Sequence, residues 1–290
     1  MKIIFSRKGF DSSSGGFPSP ILPDGRLISL PIPDKTSGIK YSDIAYDEYN
    51  IGNIVSELSK ERIPPHYKAH VDPDLRHDAI PRHTGWKPIF GQMGASQGHL
   101  KKQNVQPGDI FLFFGLFQRA AICKGLLQFD KSLPAVHCLW GWLQIGSVFL
   151  IHDATKDDLE WAYYHPHFNK QIEKGNTLYI SRDNLKINGK ELTVSGAGVF
   201  RKYSDTLQLT VEGQRNTRLW NLPLFMFPED EKDAISYHQD KKKWHKNGHR
   251  ALLSLVSRGQ EFVWDTKEQV EPLQWIEELI TKHQSKMPRP

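Results

Sequence analysis

Continuous apolar runs are the clearest pattern in the chain, and they predict buried strands. A short run at 2–5 comes first, a longer one occupies 110–114, and a third covers 139–151 with glycines inside it. Runs of this length rich in branched and aromatic residues are typical of strands buried on both faces. A Gly-Asp turn followed by two long strands, the second bent at glycines, indicates a small, strongly curved barrel.

Other segments have the spacing of helices. Ile51, Ile54, Val55 and Leu58 form one apolar stripe, which predicts a helix over about 46–60. Apolar stripes likewise predict helices over 250–258 and 272–283, the latter with a proline at its start. Asn-Gly between alternating residues predicts a hairpin over 185–192, and 260–265 is expected to be a strand.

These elements together predict one α+β domain spanning 1–290, because no low-complexity linker or internal repeat divides the chain. Its core would be curved, mostly antiparallel and barrel-like, over about 105–230, with the N-terminal and C-terminal segments and flanking helices packed on it. A composition of 38% hydrophobic and 24% charged residues fits an ordinary globular protein.

Composition also bounds the location and the partners. No apolar run is long enough to span a membrane, and the N-terminus is too weakly apolar for a signal peptide. Two cysteines, Cys123 and Cys138, suit a reducing compartment, so we expect a cytoplasmic protein. The net charge of +5 permits nucleic-acid binding without requiring it. The basic run at 241–246, which contains a tryptophan, is either a phosphate contact or a solvated surface.

A polar loop directly after the first strand is the first candidate binding site. Arg7 and Lys8 could hold a phosphate or carboxylate, and Asp11 could move a proton. Ser12, Gly15 and Gly16 would bring hydroxyl and backbone N–H groups close to the same ligand. The alternative is a solvated turn whose glycines only serve the backbone.

A second candidate is the cluster of titratable residues near position 70. His70, Asp72 and Asp74 alternate, so on an extended backbone they would point to one side. This arrangement suits acid–base catalysis, for which His70 and Asp72 are the candidates, or it is a structural loop. Its spacing matches no standard metal motif. The pair His165 and His167 has no third ligand nearby in the sequence, so we predict no metal site.

Several short motifs also resemble a known family. They are SRKGFDS at 6–12, GG at 15–16, PSPI at 18–21, PDG at 23–25, SLPIP at 29–33, HVDPDL at 70–75, GDIFLFFG at 108–115 and RGQEFV at 258–263. Together they resemble the third family of nucleotide modification associated domains, from residue 1 to about 283. The resemblance implies a link to modified bases in phage and bacterial DNA. The strands at 108–114 and 140–151 are also similar to PUA-like and EVE-type barrels, which bind bases of nucleic acid.

The resulting hypothesis is an enzyme that modifies a nucleotide or a nucleic-acid base. Asp11, His70 and Asp72 would handle protons, and the N-terminal loop would hold phosphate. Four aromatic residues of the predicted barrel would form a slot for the base: Phe114, Phe117, Trp140 and Trp142. The alternative is that these rings are residues of the hydrophobic core. No P-loop, zinc deaminase motif, methyltransferase glycine loop or nucleophile elbow is present.

Two non-catalytic alternatives stay open. One is a reader of modified bases that uses the same slot without chemistry. The other is a module that sequesters a signalling nucleotide in phage defence or counter-defence. In each case the expected partner is a nucleotide or nucleic acid, with DNA favoured over RNA. We expect no association with a membrane. The sequence does not specify the cofactor, the reaction or the oligomeric state.

Overall fold

The computed structural model describes residues 1–153, 159–170, 173–257 and 259–284. Its α-helices are α1 (Ile51–Ser59), α2 (Gly94–Lys102) and α3 (Val270–His283). Its strands are β1 (Lys2–Arg7), β2 (Ser19–Ile21), β3 (Ile32–Pro33), β4 (Ala45–Tyr46), β5 (Tyr49–Asn50), β6 (Ala69–His70), β7 (Ile89–Gln92), β8 (Ile110–Cys123), β9 (Leu126–Phe129), β10 (Val136–Leu150), β11 (Thr177–Ser181), β12 (Asn184–Ile187), β13 (Lys190–Ser195), β14 (Ala197–Val199), β15 (Leu219–Pro223), β16 (Trp244–Asn247), β17 (Arg250–Ser254) and β18 (Glu261–Asp265).

The main sheet is built on the three apolar runs noted in the sequence. Its strand order is β18-β1-β8-β10-β11-β7, and β2, β9 and β14 attach beside this path. Strand β1 lies parallel to β8 and antiparallel to β18, so the first apolar run is paired on both sides. Strand β10 is long enough to pair first with β8 and then with β11, with a register shift in each ladder.

The barrel predicted over 105–230 is not confirmed. The main sheet is open among the described residues, with β18 at one edge and β7 at the other. One reason is that β1 and β18, which come from outside that range, extend the sheet beyond β8. Strand β8 therefore has no free edge along its first half with which to close a barrel. The α+β class and the mixed, mostly antiparallel pairing are as expected.

Two large hydrophobic clusters and a smaller third one, which includes Ile89 and Leu178, form the interior among the described residues. The largest is centred on β1, β8 and β10, and the residues at 110–114 in it are fully buried. The second lies in the N-terminal part of the chain, where α1 packs beneath the segment that holds Phe10 and Tyr41. The site described below lies where this second cluster meets the β7 edge of the main sheet.

Most of the predicted local elements are present, with one clear error. Helices α1 and α3 and the Asn188-Gly189 hairpin are confirmed. The predicted helix at 250–258 is wrong: its first five residues form strand β17, and Arg258 lies outside the described residues. The burial of β17 alternates, and the two-residue turn Gly248-His249 connects it to β16 in a hairpin. No helix in the described ranges is both long and apolar enough to cross a membrane.

Candidate functional site

A cluster of imidazoles and carboxylates lies beside strand β7, where two distant segments of the chain meet. His70 and Asp72 come from the first segment, and His165 and His167 come from the second. The three histidines are buried: His165 is fully so, and His70, the most exposed of them, shows only 8% of its surface. The Asp72 side chain is 5% exposed. Because four titratable groups converge here with so little exposure, this cluster is the candidate functional site.

The first segment is positioned by backbone pairing on both sides. Strand β6 pairs with β3, which places Ile32 opposite His70. Two residues beyond Asp72, the backbone of Asp74 exchanges both hydrogen bonds with Ile89 of β7. The carboxylate of Asp72 then accepts a hydrogen bond from the Gly91 backbone N–H at 2.8 Å. This bond fixes the direction in which the Asp72 carboxylate points.

The second segment is a 3-10 helix, Pro166–Lys170, held by Asn176. The Asn176 side-chain N–H groups donate to the carbonyls of His167 at 2.9 Å and Lys170 at 3.1 Å. Its oxygen is therefore the acceptor for His167 Nδ1–H, at 2.6 Å. Because Nδ1 is engaged in this way, Nε2 is the nitrogen of His167 that faces Asp72.

A buried polar clamp ties the two segments together next to the cluster. Arg82 makes a two-pronged ion pair with Asp74, at 2.5 and 2.7 Å. The Tyr164 hydroxyl donates to the same carboxylate at 2.6 Å and accepts from the indole N–H of Trp86 at 2.7 Å. Asp74 lies two residues after Asp72, and Tyr164 directly precedes His165, so the clamp fixes the spacing between the segments.

The distances within the cluster are short and similar. Asp72 Oδ2 lies 3.7 Å from His70 Nε2 and 3.4 Å from His167 Nε2, and Asp72 Oδ1 lies 3.3 Å from His165 Nε2. His70, Asp72 and His167 each present one ligand atom within 4.8 Å of the others, which is close enough for one metal ion. The other nitrogen of His70, Nδ1, lies 2.7 Å from the Asp34 carboxylate.

Burial and charge act in opposite directions on these groups. Burial works against the charged form of Asp72, but its contacts with three imidazoles outweigh that effect and hold the pKa of the carboxyl well below its ordinary value. Burial lowers the pKa of His165, although Asp72 opposes this. Burial also disfavours protonated His70, yet the adjoining Asp34 and Asp72 carboxylates raise its pKa. The cluster can therefore exchange protons or hold a cation.

Two of the three predicted catalytic residues lie in the cluster, and the third does not. His70 and Asp72 are brought together, as described. Asp11 instead organises its own turn: its Oδ1 accepts from the Ser13 backbone and hydroxyl at 2.8 and 2.7 Å and from the Ser14 backbone at 2.8 Å. Ser12 lies exposed in the same turn.

The residues predicted to contact phosphate lie in a turn and in a buried ion pair. Gly15 and Gly16 both have positive φ, which the turn requires, and Gly15 lies against the ring of Phe10. Lys8 Nζ is 3.0 Å from Glu261 and lies over the Phe90 ring, so its charge already has a partner. Arg7 is partly buried at the end of β1.

The four aromatic rings proposed as a base slot lie in the hydrophobic core. Phe114 and Phe117 are fully buried, Trp142 stacks on Phe200, and Trp140 stacks on Phe113. A cavity of about 20 Å³ beside Trp140 is large enough for roughly one water molecule. The packing of these rings is that of core residues.

Sequence reasoning treated the two histidine groups separately and so missed what they form together. His165 and His167 were considered alone, and Asp34 and Asn176 were not considered at all. The available signal was chemical: the chain has two close-set groups, His-x-Asp and His-x-His, each too small to form a site. Their juxtaposition depends on the β7 edge and the Asp74 clamp, which no local pattern specifies.

Comparison with known proteins identifies the family. No curated protein and no solved structure matches the chain. The family described as nucleotide modification associated domain 3 matches residues 2–265, which include the whole cluster and the clamp. The match covers most of the sequence, and the chain belongs to the nucleotide modification associated domain 3 family.

Proposed function

We propose that this protein is an enzyme that modifies a nucleotide or a nucleic-acid base, and that the reaction takes place at the cluster of His70, Asp72, His165 and His167. The observation that carries the proposal is the convergence of these four titratable side chains in a site that is nearly closed to water. Perturbed titratable groups held close together under low solvent exposure are typical of reaction centres. Membership of a family described as nucleotide modification associated supports nucleotides as the proposed substrate class.

The contacts around His70 support an acid–base role. Asp34 holds Nδ1 at 2.7 Å, which leaves Nε2 to face Asp72 and any substrate that reaches the site. A histidine oriented by a carboxylate on its far side is a common arrangement for proton transfer. His70 also keeps some exposed surface, so it is the member of the cluster best placed to contact a substrate.

The N-terminal turn stays the candidate phosphate contact. Arg7, Ser12 and the backbone at Gly15 and Gly16 are the groups proposed for this role, since Lys8 is paired with Glu261. DNA, in preference to RNA, is the proposed polymer, as the resemblance to proteins linked to modified DNA bases suggests.

A mass-spectrometric assay tests the function. The protein is incubated with deoxynucleotides and duplex or single-stranded DNA, together with divalent metals and a protein-free metabolite extract that supplies co-substrates. Digested nucleosides are then analysed for a change in mass. We expect turnover by the wild type and a loss of about 100-fold or more in His70→Ala and Asp72→Asn.

His245→Ala is the matched control, because His245 is exposed on β16 and lies outside the cluster. It should keep wild-type turnover. Tight nucleotide or DNA binding with no change in mass in any variant would overturn the enzyme proposal and support a reader or sequestering module instead.

A further inference from the structure

The separations in the cluster match those of ligands around a metal ion better than those of hydrogen-bond partners. The three imidazole-to-Asp72 distances are 3.3, 3.4 and 3.7 Å. Hydrogen bonds between nitrogen and oxygen are typically about 2.7–3.2 Å long. Two ligand atoms each about 2.0–2.2 Å from a tetrahedral ion lie about 3.3–3.6 Å from each other. The observed spacing is therefore that of atoms which share a central cation.

The protonation of two of the rings is set by their outer contacts. Asn176 offers only its oxygen to His167, because its nitrogen donates to two carbonyls. Asp34 likewise accepts from His70, since its other oxygen accepts from the Thr36 backbone and hydroxyl. Both rings thus carry a proton on Nδ1, and in their neutral forms they direct the lone pair of Nε2 at Asp72. Metal-binding histidines commonly have such an outer partner on Nδ1.

In this arrangement the imidazole lone pairs and the Asp72 carboxylate, all hydrogen-bond acceptors, face one another unless a positive charge lies among them. Neutral imidazole lone pairs directed at a carboxylate repel it. Protonating all the rings would instead place several like charges in contact within a buried site, which is costly. His165 adds to the problem, because both of its ring nitrogens are buried and have no hydrogen-bond partner among the described residues. A single divalent cation among His70, Asp72 and His167 removes the repulsion between their lone pairs.

The site is also held in shape from outside the cluster. The Gly91 N–H orients the Asp72 carboxylate at 2.8 Å, and the absence of a side chain at Gly91 leaves room for the His167 ring. The Arg82–Asp74–Tyr164 clamp sets the distance between the two segments. A site whose ligands are positioned before an ion arrives needs little rearrangement to bind it.

We propose that His70, Asp72 and His167 bind one divalent transition-metal ion, with His165 facing the other oxygen of Asp72 at 3.3 Å. Imidazole nitrogens with a carboxylate oxygen favour Zn²⁺, Fe²⁺, Co²⁺ or Ni²⁺ and disfavour Mg²⁺ and Ca²⁺, which prefer oxygen ligands. Any role of the ion in catalysis rests on the proposed function above, but its binding does not.

Metal analysis of the purified protein tests the proposal directly. The protein is prepared with a tag that contains no histidine, dialysed, and analysed by inductively coupled plasma mass spectrometry. We expect about one equivalent of a transition metal per chain in the wild type. Asp72→Asn and His167→Ala should lose it, and the surface variant His245→Ala should retain it. Equal metal content in the wild type and the cluster variants would overturn the proposal.

A stability measurement covers the case in which the cluster variants do not fold. Wild-type protein is stripped with a chelator, and its melting temperature is measured with added Zn²⁺, Fe²⁺, Co²⁺, Ni²⁺ or Mg²⁺. At a free concentration about 100 times the dissociation constant, a bound ion should raise the melting temperature by roughly 5 °C. We expect such a rise for at least one transition metal and not for Mg²⁺. No rise with any transition metal, in protein that also holds none as purified, would overturn the proposal.

The two proposals can fail separately. Turnover by a wild type that holds no metal as purified and is stabilised by no transition metal would overturn the metal site and leave the enzyme proposal intact. One equivalent of bound metal in a protein that binds nucleotides without modifying them would overturn the enzyme proposal and leave the metal site intact.

Discussion

The imidazole of His167 lies where a side chain on Gly91 would have to be. A Cβ built on Gly91 would come closer to the His167 ring than van der Waals contact permits. The Gly91 N–H also orients Asp72, so one small residue on β7 serves both segments of the cluster. Through Gly91, strand β7 at the edge of the sheet positions both His167 and Asp72.

Gly91→Ala is therefore expected to damage the site far more than the fold. The methyl group would displace His167 and lower metal affinity by about 10–100-fold, the range found when groups that support metal ligands are lost. Isothermal titration with Zn²⁺ measures this. Gly98→Ala is the control, since a Cβ at Gly98 meets nothing within 4 Å on the exposed side of α2, and it should leave affinity unchanged. Equal affinities in the two variants would contradict the proposed arrangement.

Removing the Tyr164 hydroxyl should loosen the connection between the two segments. Tyr164→Phe leaves the half-buried indole N–H of Trp86 without its acceptor and deprives Asp74 of a donor. We expect a loss of about 1–3 kcal/mol in the free energy of unfolding, measured by urea denaturation. Tyr67→Phe removes a hydroxyl in the second hydrophobic cluster and serves as the comparison. A Tyr164→Phe protein as stable as the wild type would show that the clamp contributes little.

The Lys8–Glu261 pair should behave as a buried ion pair. Both side chains are largely buried, and Gln92 donates to the same Glu261 oxygen at 2.6 Å. Glu261→Ala leaves Lys8 without its partner and should cost about 3–5 kcal/mol of stability. The double variant Lys8→Met with Glu261→Leu should lose less. Lys87→Ala, which breaks the exposed pair with Asp183, should cost under about 1 kcal/mol.

The same variants address whether Lys8 holds phosphate. If Lys8 only balances Glu261, the double variant should keep the nucleotide affinity of the wild type. A large loss of affinity in that stable double variant would favour the phosphate role expected from the sequence.

His137 should weaken the folded state in acid. Burial, helped by the nearby Arg7 charge, lowers the pKa of His137 to about 4 from an ordinary value of 6.5, and its Nδ1 accepts a hydrogen bond from Trp220. Between these values the unfolded chain binds a proton that the folded protein does not. Stability is therefore complete above pH 6.5 and falls as the pH decreases towards 4, by up to about 3 kcal/mol.

His137→Asn keeps an acceptor for Trp220 and removes the titration. Urea denaturation between pH 4 and 7 should show the pH dependence of unfolding reduced by about one proton. His238, whose pKa burial also lowers to about 4, should preserve part of the slope. An unchanged slope would mean that His137 does not titrate as its burial indicates.

Local pattern was sufficient for the long buried strands of the main sheet, the Asn188-Gly189 hairpin and helices α1 and α3. The run at 110–114 is apolar without interruption because the sheet is covered on both faces, and that pattern is visible in the sequence. The 250–258 segment forms a strand because the tight turn at Gly248-His249 pairs it with β16, although its two adjacent leucines resemble a helix stripe. The barrel is not confirmed because β1 pairs with β8, one of the strands expected to close on themselves, and β18 extends the sheet beyond β1.

The site was harder to predict than the fold. His70 and Asp72 stood out because they alternate within a dense run of titratable residues. Their partners His165 and His167 carry the same chemistry, but only long-range pairing brings them near. The N-terminal turn drew attention for its charges and glycines, yet Asp11 and Lys8 both find partners within the fold. Sequence alone cannot distinguish a charge that awaits a ligand from one that is already matched.

The ligands of the proposed ion come from two stretches roughly 95 residues apart in the chain. An ion shared between them would act as a reversible cross-link, comparable to a disulfide that closes a long loop and restricts the unfolded chain. Chelation would then lower the free energy of unfolding of the whole chain, because the bound ion stabilises only the folded state. Metal supply in the cell would thereby affect how long the protein survives.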